Sequence, residues 1–332
     1  MFPDCKHFVD MSCIFTPAQT LADFDMFTNC RRNDGSLRFL QMFVEKHFND
    51  PGSELEHWTP PDWKAQPSFL ARISDPEIKQ FGSDVNGLWK ELGRRIKDEV
   101  KENPDQYSII YVPNPFIVPS SNCREYRYWE SFWIIRGLLQ CGMHQTARGM
   151  IDNYLELVQQ YGFVPGCGRI YCSGRSNPPL LIMMVKAYVE VTKDEQYAIE
   201  ALPLLETEYD TFISKHSVQV KGRTMYQYRD SSAGPRPEAY REDLECVASI
   251  KSPVVREVMY TELKSAAESG TNFSSHWRIL RATSTRVLRN VDLIRPTTRR
   301  RNAATATKKR MGNRSTSPMD QCPGRTCEGL VN

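Results

Sequence analysis

The sequence predicts an all-α protein in which pairs of helices form a toroid. Apolar residues recur at helical spacing in seven segments of the 332-residue chain. Strand signals are sparse, since residues 108–112 (SIIYV) form the one β-rich run. Long polar loops at residues 49–67 and 113–123 separate the helices. Because the connections within a tight helical bundle are usually short, these loops favour the toroid over the bundle.

Each predicted helix has an apolar stripe along one face. In residues 85–101, for example, Leu88, Leu92 and Ile96 are spaced four residues apart. Residues 178–191 begin with two prolines, which suit the first turn of a helix because its N–H groups have no partner there. The complete set of predicted helices is 39–48, 85–101, 125–140, 145–160, 178–191, 195–215 and 238–250.

Charge divides the chain into two parts. Residues 278–332 hold thirteen Lys or Arg and three acidic residues, whereas the residues before them hold 30 basic and 37 acidic ones. The last 55 residues contain no Phe, Tyr or Trp. Because such a segment buries too little apolar area to offset the ordering of its chain, we expect a globular domain over 1–277 and a disordered, basic tail over 278–332.

The charge of the body also limits the partners that the protein can have. A mildly acidic surface disfavours binding to nucleic acid. The tail contains basic clusters at residues 299–301 and 308–310, of the kind found in nuclear addresses and nucleic-acid patches. Its composition favours a solvated tail without such a role, so we expect no nucleic-acid partner.

Other classes of protein are disfavoured by patterns that the sequence lacks. No apolar run approaches the roughly 20 residues of a membrane helix, so we expect no membrane span. The first residues, MFPDCKHFVDM, carry no signal-peptide pattern, and the sequence leaves localisation open. None of the ten cysteines forms a C-x-x-C pair, and glycine-rich phosphate loops are absent. We therefore expect neither a structural metal nor a cofactor.

Three segments concentrate side chains that are suited to binding sugars. Arginine forks and carboxylates satisfy hydroxyl groups in pairs, and aromatic faces pack against the C–H surface of a sugar ring. Such groups occur in residues 125–133 (EYRYWESFW), 169–179 (RIYCSGRSNPP) and 235–243 (PRPEAYRED). The sequence shows no Ser-His-Asp or Cys-His arrangement that would suggest a different chemistry. The three segments therefore indicate a carbohydrate site.

Residue types alone leave structural alternatives open for these segments. Arg236 and Glu238 are equally consistent with an ion pair at the start of a helix, with Pro237 in its first turn. Trp129 and Trp133 lie four residues apart, and such pairs more often belong to the core of a protein than to a binding platform.

Five collinear segments resemble the trehalases, inverting glycoside hydrolases that split α,α-trehalose into two glucoses. They are FPDCKHFVDM, VPSSNCREYRYWESFWIIRGLL, YGFVPGCGRIYCSGRSNPPLL, AGPRPEAYRED and AAESGTNFSSHW, and together they cover residues 2–277. The second segment is similar to the family signature P-G-G-R-F-x-E-x-Y-x-W-D-x-Y. The resemblance implies an (α/α)6 barrel with a pocket at one end, and the disaccharide α,α-trehalose as its small-molecule partner. Because the likeness stops at residue 277, we expect an incomplete barrel that lacks the C-terminal part of the family domain.

The resemblance also implies which residues contact the sugar. Trp129 is expected to stack on a glucose face, while Arg175 and Arg236 hold hydroxyl groups. The implied substrate-binding positions are Asn122, Trp129, Glu130, Gly166, Arg175, Ser176, Asn177, Arg236, Pro237, Glu238 and the Gly270 backbone. Four of them depart from the family pattern: Asn122 replaces Arg, Glu130 replaces Asp, Gly166 replaces Asn and Asn177 replaces Gln.

The departure with the largest chemical consequence is Asn272. It occupies the position of the family's general acid, the aspartate of S-G-W-D-F-S-S, in a segment that reads S-G-T-N-F-S-S here. Inverting hydrolysis needs one carboxyl group to protonate the leaving oxygen and another to activate water, about 6.5–9.5 Å apart. An amide cannot deliver that proton, and the family's base, a glutamate, has no counterpart in the matched segments. We therefore expect little or no turnover; the alternative is a non-catalytic relative that binds trehalose or a partner.

Overall fold

The computed structural model describes residues 1–29, 37–175, 177–230 and 232–269, and these residues are mostly helical. The α-helices are α1 (Cys5–Val9), α2 (Pro17–Asn29), α3 (Leu37–His47), α4 (Pro76–Leu92), α5 (Asp98–Glu102), α6 (Tyr128–Gln140), α7 (His144–Tyr161), α8 (Leu181–Thr192), α9 (Glu195–His216), α10 (Tyr240–Val247) and α11 (Pro253–Glu268). The strands are β1 (Ser12–Cys13), β2 (Phe48–Asn49), β3 (Leu55–His57), β4 (Gly93–Ile96), β5 (Phe116–Ile117), β6 (Ser217–Val220) and β7 (Arg223–Tyr226). The predicted helical character is confirmed, and the predicted tail at 278–332 lies outside the described residues.

Helices α6 to α9 form the centre of the core. Each packs against the next along the chain, and α6 also contacts α8 while α7 also contacts α9. Ile135, Leu138, Ala147 and Leu181 are completely buried between them. Since burial of a large aliphatic side chain contributes roughly 1.5–3 kcal/mol, this layered contact is a main source of stability.

The prediction of a single helix over residues 85–101 is wrong, because β4 follows α4 and residues 98–101 belong to the separate helix α5. Helix α4 ends before Gly93, and strand β4 lies between β3 and β5 in an antiparallel sheet. A Cβ atom at residue 93 would lie 1.9 Å from the carbonyl oxygen of Trp58. The Trp58 N–H also donates to the Gly93 carbonyl oxygen at 3.1 Å. Glycine permits this close approach, and the chain turns into the sheet at that point.

The β-rich run at residues 108–112 does not become a strand of a sheet. Ile109 forms an isolated bridge with Arg169, and the Ile110 N–H donates to the Gly168 carbonyl oxygen at 2.9 Å. The run therefore holds the loop that follows α7 against the core. The other predicted helices correspond to α3 and to α6 through α10.

Four helical regions were not predicted: α1, α2, the first turns of α4, and α11. In α4 the Asp75 carboxylate caps the helix by accepting the N–H groups of Glu77 and Ile78 at 2.9 and 3.0 Å. None of the helices in the described ranges is both long and apolar enough to cross a membrane. The described residues also contain no group of three or more His, Cys, Asp or Glu side chains that could hold a metal ion.

Candidate functional site

A cavity of about 690 Å³ brings together residues that lie far apart in the sequence. This volume is within the range of about 300–1,000 Å³ that is usual for small-molecule sites. Six of the predicted sugar-binding residues line the cavity: Trp129, Glu130, Gly166, Arg175, Asn177 and Glu238. The first turn of α6 supplies two of them, the loop between α7 and α8 three, and the 3₁₀ turn Pro237–Ala239 the last.

The other predicted site residues lie elsewhere. Asn122 and Pro237 are exposed and do not line the cavity. Arg236 is buried, and it does not line the cavity either. Ser176, Gly270 and Asn272 fall outside the described residues.

The guanidinium group of Arg175 lies in the cavity, where three other residues contact it. Nη1 donates to Glu238 Oε1 at 2.7 Å, and Nη2 donates to the carbonyl oxygen of Tyr171 at 2.8 Å. Nε lies 3.4 Å from Asp230 Oδ2. The Arg175 side chain is only 9% exposed, so solvent screens these charges weakly. The cavity therefore presents a fixed donor fork next to the Glu238 carboxylate.

Arg236 forms its ion pair with Asp243 of α10, while Glu238 pairs with Arg175. Asp243 Oδ2 accepts the backbone N–H of Arg236 at 2.9 Å, and Oδ1 accepts from Nη2 at 2.6 Å. Burial opposes the charge of Arg236, but the hydrogen bonds and negative charge of Asp243 outweigh it and raise the arginine pKa. Because Arg236 immediately precedes the turn Pro237–Ala239, this pair fixes the turn that carries Glu238.

Tyr128 determines where α6 begins and so where its neighbours Trp129 and Glu130 lie. The Tyr128 hydroxyl accepts the N–H groups of Leu180 and Leu181 at 2.8 and 2.7 Å, and it donates to the buried Glu208 carboxylate. This one hydroxyl joins the first turn of α6 to the start of α8 and the middle of α9. Burial raises the pKa of Glu208 to about 7, although the Tyr128 hydrogen bond acts in the opposite direction.

The two tryptophans of α6 are surface residues, so the alternative that they belong to the core is wrong. Trp129 is 46% exposed and Trp133 is 54% exposed. Trp129 lines the cavity, whereas Trp133, one turn later, does not. An exposed indole beside a polar fork matches the arrangement that the sequence suggests for sugar binding.

A charge cluster, buried at Asp10, Glu125 and Arg169 and partly exposed at Lys6 and Tyr171, supports one side of the cavity. The Lys6 ammonium donates to Asp10 at 2.7 Å, to Glu125 at 2.9 Å and to the Tyr171 hydroxyl at 2.8 Å. Burial works to raise the pKa of Asp10, but the positive charge of Arg169 and the hydrogen bond from Lys6 outweigh it and lower the pKa. Sequence reasoning missed Lys6, which lines the cavity together with Tyr171 of the sugar-suited segment 169–179. The available signal was the first family-like segment, FPDCKHFVDM, to which no role was assigned.

A disulfide bond closes the loop that carries two members of this cluster. Cys167 and Cys172 are joined, and both line the cavity. The closed loop contains Arg169 and Tyr171 and ends three residues before Arg175. The sequence left cysteine pairing open, because a spacing of five residues specifies neither a disulfide nor a metal site.

The C-terminal end of α11 completes the described lining of the cavity. Glu268 and Ser269 line it, together with Tyr228 from the segment after β7. The Glu268 carboxylate is buried, and its Oε2 accepts the backbone N–H of Arg229 at 2.7 Å. Sequence reasoning assigned no role to Glu268 because it did not predict α11.

Comparison with known proteins identifies the family to which this architecture belongs. The family profile described as Trehalase matches residues 1–293. The chain belongs to the trehalase family. Trehalase from Apis mellifera is 42% identical over 295 residues, which are 88% of this chain and 47% of that protein. Trehalase from Homo sapiens is 39% identical over 283 residues, which are 84% of this chain and 48% of that protein.

This trehalase-family chain therefore spans about half the length of the curated relatives that it matches. Among solved structures, neutral trehalase Nth1 from Saccharomyces cerevisiae matches it with a TM-score of 0.40 and 20% identity. That match covers 50% of this chain and 35% of the yeast chain.

Proposed function

We propose that this chain binds α,α-trehalose in the cavity that Trp129, Arg175 and Glu238 line, as a trehalase-like glycosidase of low turnover. The observation that carries the proposal is an exposed indole in the same cavity as a hydrogen-bonded pair of the buried Arg175 and the partly buried Glu238. A glucose ring needs both kinds of surface, because one face presents C–H groups while the rim presents hydroxyl groups. Family membership supports the choice of disaccharide.

The polar residues of the cavity are arranged to recognise hydroxyl groups. Glu238 Oε1 is engaged by Arg175 at 2.7 Å, and the carboxylate keeps further capacity to accept hydrogen bonds. Gly166 leaves room for Asn177, since a Cβ atom at residue 166 would lie 2.7 Å from Asn177 Oδ1. Glycine at a position where the family has asparagine therefore allows the Asn177 amide to approach the cavity. In this proposal, these groups bind and orient the sugar and exclude water from it.

We also propose that the helices form part of an (α/α)6 barrel. In such a barrel each helix contacts the next helix and the one after it, which lies in the same layer. The contacts of α6 with α7 and α8, and of α9 with α7 and α8, have this pattern. The cavity is lined by loops, by the first turn of α6 and by the C-terminal end of α11. We place the catalytic-domain region at 1–277 and the basic tail at 278–332, a boundary that limited proteolysis can locate.

Low turnover follows from the residue at position 272. Family hydrolysis requires a carboxylic acid there to protonate the leaving oxygen, and Asn272 has no proton to give at neutral pH. Removing a positioned general acid costs about 10²–10⁴-fold in rate. The described carboxylates of the cavity are Glu130, Glu238 and Glu268, and Glu238 is committed to Arg175.

The second candidate function is that of a non-catalytic relative that binds trehalose or a protein partner. The amide of Asn272 is the observation that favours it, because binding through Trp129 and Arg175 needs no acid. This candidate differs from the first in one quantity, the rate of glucose release from bound trehalose.

Two measurements on the same purified chain test the proposal. Calorimetric titration with trehalose should give a saturable signal with a dissociation constant in the millimolar range or below. A coupled glucose assay should give a rate at least about 100-fold below that of the Apis mellifera relative. Absence of binding at any accessible trehalose concentration would overturn the proposal, and a rate typical of the relatives would overturn the low-turnover part.

A further inference from the structure

The segment that follows β7 is held by one face of α11. The Arg229 N–H donates to Glu268 Oε2 at 2.7 Å, and the Asp230 N–H donates to Ser265 Oγ at 3.3 Å. The Lys264 ammonium donates to the carbonyl oxygen of Ser232. Side chains within the last two turns of one helix therefore bond three backbone groups in this short segment, which fixes its position along α11.

The same segment is held on its other side by the end of α9. The Gln227 N–H donates to the His216 carbonyl oxygen at 2.9 Å, and His216 Nδ1 lies 2.7 Å from the Gln227 carbonyl oxygen. Because a carbonyl oxygen only accepts, Nδ1 is the donor in this contact. His216 Nε2 faces Glu268 Oε1 at 3.6 Å. The segment thus lies between two helices, each of which fixes its backbone.

This segment carries the Asp230 carboxylate. Asp230 is only 1% exposed, and its Oδ1 accepts the N–H and hydroxyl of Ser232 at 2.8 and 2.5 Å. Its Oδ2 lies 3.4 Å from Arg175 Nε. Gly174 allows its own segment and that of Asp230 to approach each other closely, since a Cβ atom at residue 174 would lie 3.2 Å from Asp230 Oδ1. The contacts with Ser232 therefore orient the Asp230 carboxylate independently of the guanidinium.

We propose that Asp230 is a positioning residue for sugar recognition, and that it transmits the placement of α11 to Arg175. The inference rests on the proposed function of the cavity and adds to it. Asp230 does not line the cavity. Its Oδ2 forms an ion pair with the guanidinium whose Nη1 donates to Glu238. A long arginine side chain loses rotamer freedom when it binds a ligand, and a buried carboxylate on Nε removes part of that cost in advance.

The test compares Asp230→Asn with Asp210→Asn, a control at an exposed position of α9. Asp230→Asn keeps the shape and removes the charge, so the dissociation constant for trehalose should rise by about tenfold or more. Amide hydrogen exchange of residues 166–180 should become faster, while that of α7 stays unchanged. Asp210→Asn should alter neither quantity.

A double-mutant cycle with Arg175→Met separates positioning from general structural support. If Asp230 acts through Arg175, the double variant should bind trehalose no more weakly than Arg175→Met alone. Additive losses of affinity would overturn the proposal. So would unchanged affinity together with unchanged exchange in residues 166–180.

Two further outcomes keep the inference separate from the proposed function. If the unsubstituted chain binds no trehalose, the proposed function fails, and the exchange of residues 166–180 in Asp230→Asn still decides whether Asp230 holds this loop. If Asp230→Asn also loses protection in α7, the milder Ser265→Ala replaces it, because it leaves the Asp230 carboxylate intact and removes the acceptor of the Asp230 N–H together with one hydroxyl bond to the Thr261 carbonyl oxygen within α11. Faster exchange at residues 166–180 in Ser265→Ala supports the inference, and unchanged exchange overturns it.

Discussion

Arg175 Nη1 lies 2.7 Å from Glu238 Oε1, and this contact joins the segment that follows the disulfide-closed loop to the turn that precedes α10. The two residues are 63 positions apart in the sequence. Each is fixed independently, since Arg175 also contacts Asp230 while Arg236 fixes the turn that carries Glu238. The cavity thus has a rigid polar side that does not depend on a bound sugar.

Arg175→Met should weaken trehalose binding by about 10- to 100-fold, because it removes a buried, charged hydrogen-bond donor. Arg175→Lys should recover only part of the loss, since an ammonium group lacks the planar fork. Calorimetric titration measures both. Arg72→Met is the control, because Arg72 is exposed and does not line the cavity. Equal affinity in Arg175→Met and the unsubstituted chain would show that the sugar lies elsewhere.

Trp129→Ala and Trp133→Ala form a matched pair on one helix. Both side chains are about half exposed and are separated by one turn, but only Trp129 lines the cavity. Loss of the stacking face in Trp129→Ala should weaken trehalose binding by about fivefold to tenfold. Trp133→Ala should leave the affinity unchanged. A similar loss in both variants would mean that the effect comes from α6 as a whole rather than from contact with the sugar.

The sequence was sufficient to predict the helices whose apolar stripes face the core. Residues of α6 through α9 repeat at helical spacing, and the structure buries those stripes. It was not sufficient at Ile96, where the same apolar spacing fits a helix or a buried strand. There the close approach of Gly93 to Trp58 turns the chain into the strand. Helix α11 was missed because Lys264 and Glu268 occupy its buried face and interrupt the apolar pattern.

Site residues were predictable where the residue type and its own sequence segment indicated a role. Trp129, Arg175 and Glu238 were assigned by residue type and family resemblance, and they line one cavity. Lys6 was not assigned, because its partner Glu125 lies 119 positions away in the sequence. Neither residue is unusual in its own segment, so only the folded chain reveals their contact.

The stability of the protein should depend on pH through Glu208. Burial raises its pKa from 4.5 to about 7 in the folded chain, so the folded state binds a proton more tightly than the unfolded state. The free energy of unfolding should therefore fall as pH rises from about 4.5 to 7, by on the order of 3 kcal/mol from this group. Urea unfolding of the unsubstituted chain, of Glu208→Gln and of the exposed-site control Glu206→Gln measures this contribution. A pH dependence that Glu208→Gln retains in full would contradict the assignment.

The disulfide should stabilise the loop beside the cavity. Closing a loop with a sequence separation of five residues contributes about 2 kcal/mol in the chain-entropy model. The double substitution Cys167→Ser and Cys172→Ser should lower the free energy of unfolding by about that amount, and reductant should have the same effect on the unsubstituted chain. Cys123→Ser, at an unpaired cysteine of the described residues, is the control. Unchanged unfolding in the double variant would show that the charge cluster alone holds this loop.

Asn272→Asp should restore a proton donor without restoring family-like turnover. Inverting hydrolysis also needs a second carboxylate, about 6.5–9.5 Å away, that is available to activate water. Glu238 is engaged by Arg175 at 2.7 Å, and releasing it would disrupt the polar side of the cavity. We expect glucose release to rise by less than about tenfold, well below the contribution of a fully coupled general acid. A larger rise would identify Glu130 or Glu268 as the base. Combining Asn272→Asp with Glu130→Gln or Glu268→Gln would then show which of the two carboxylates activates water.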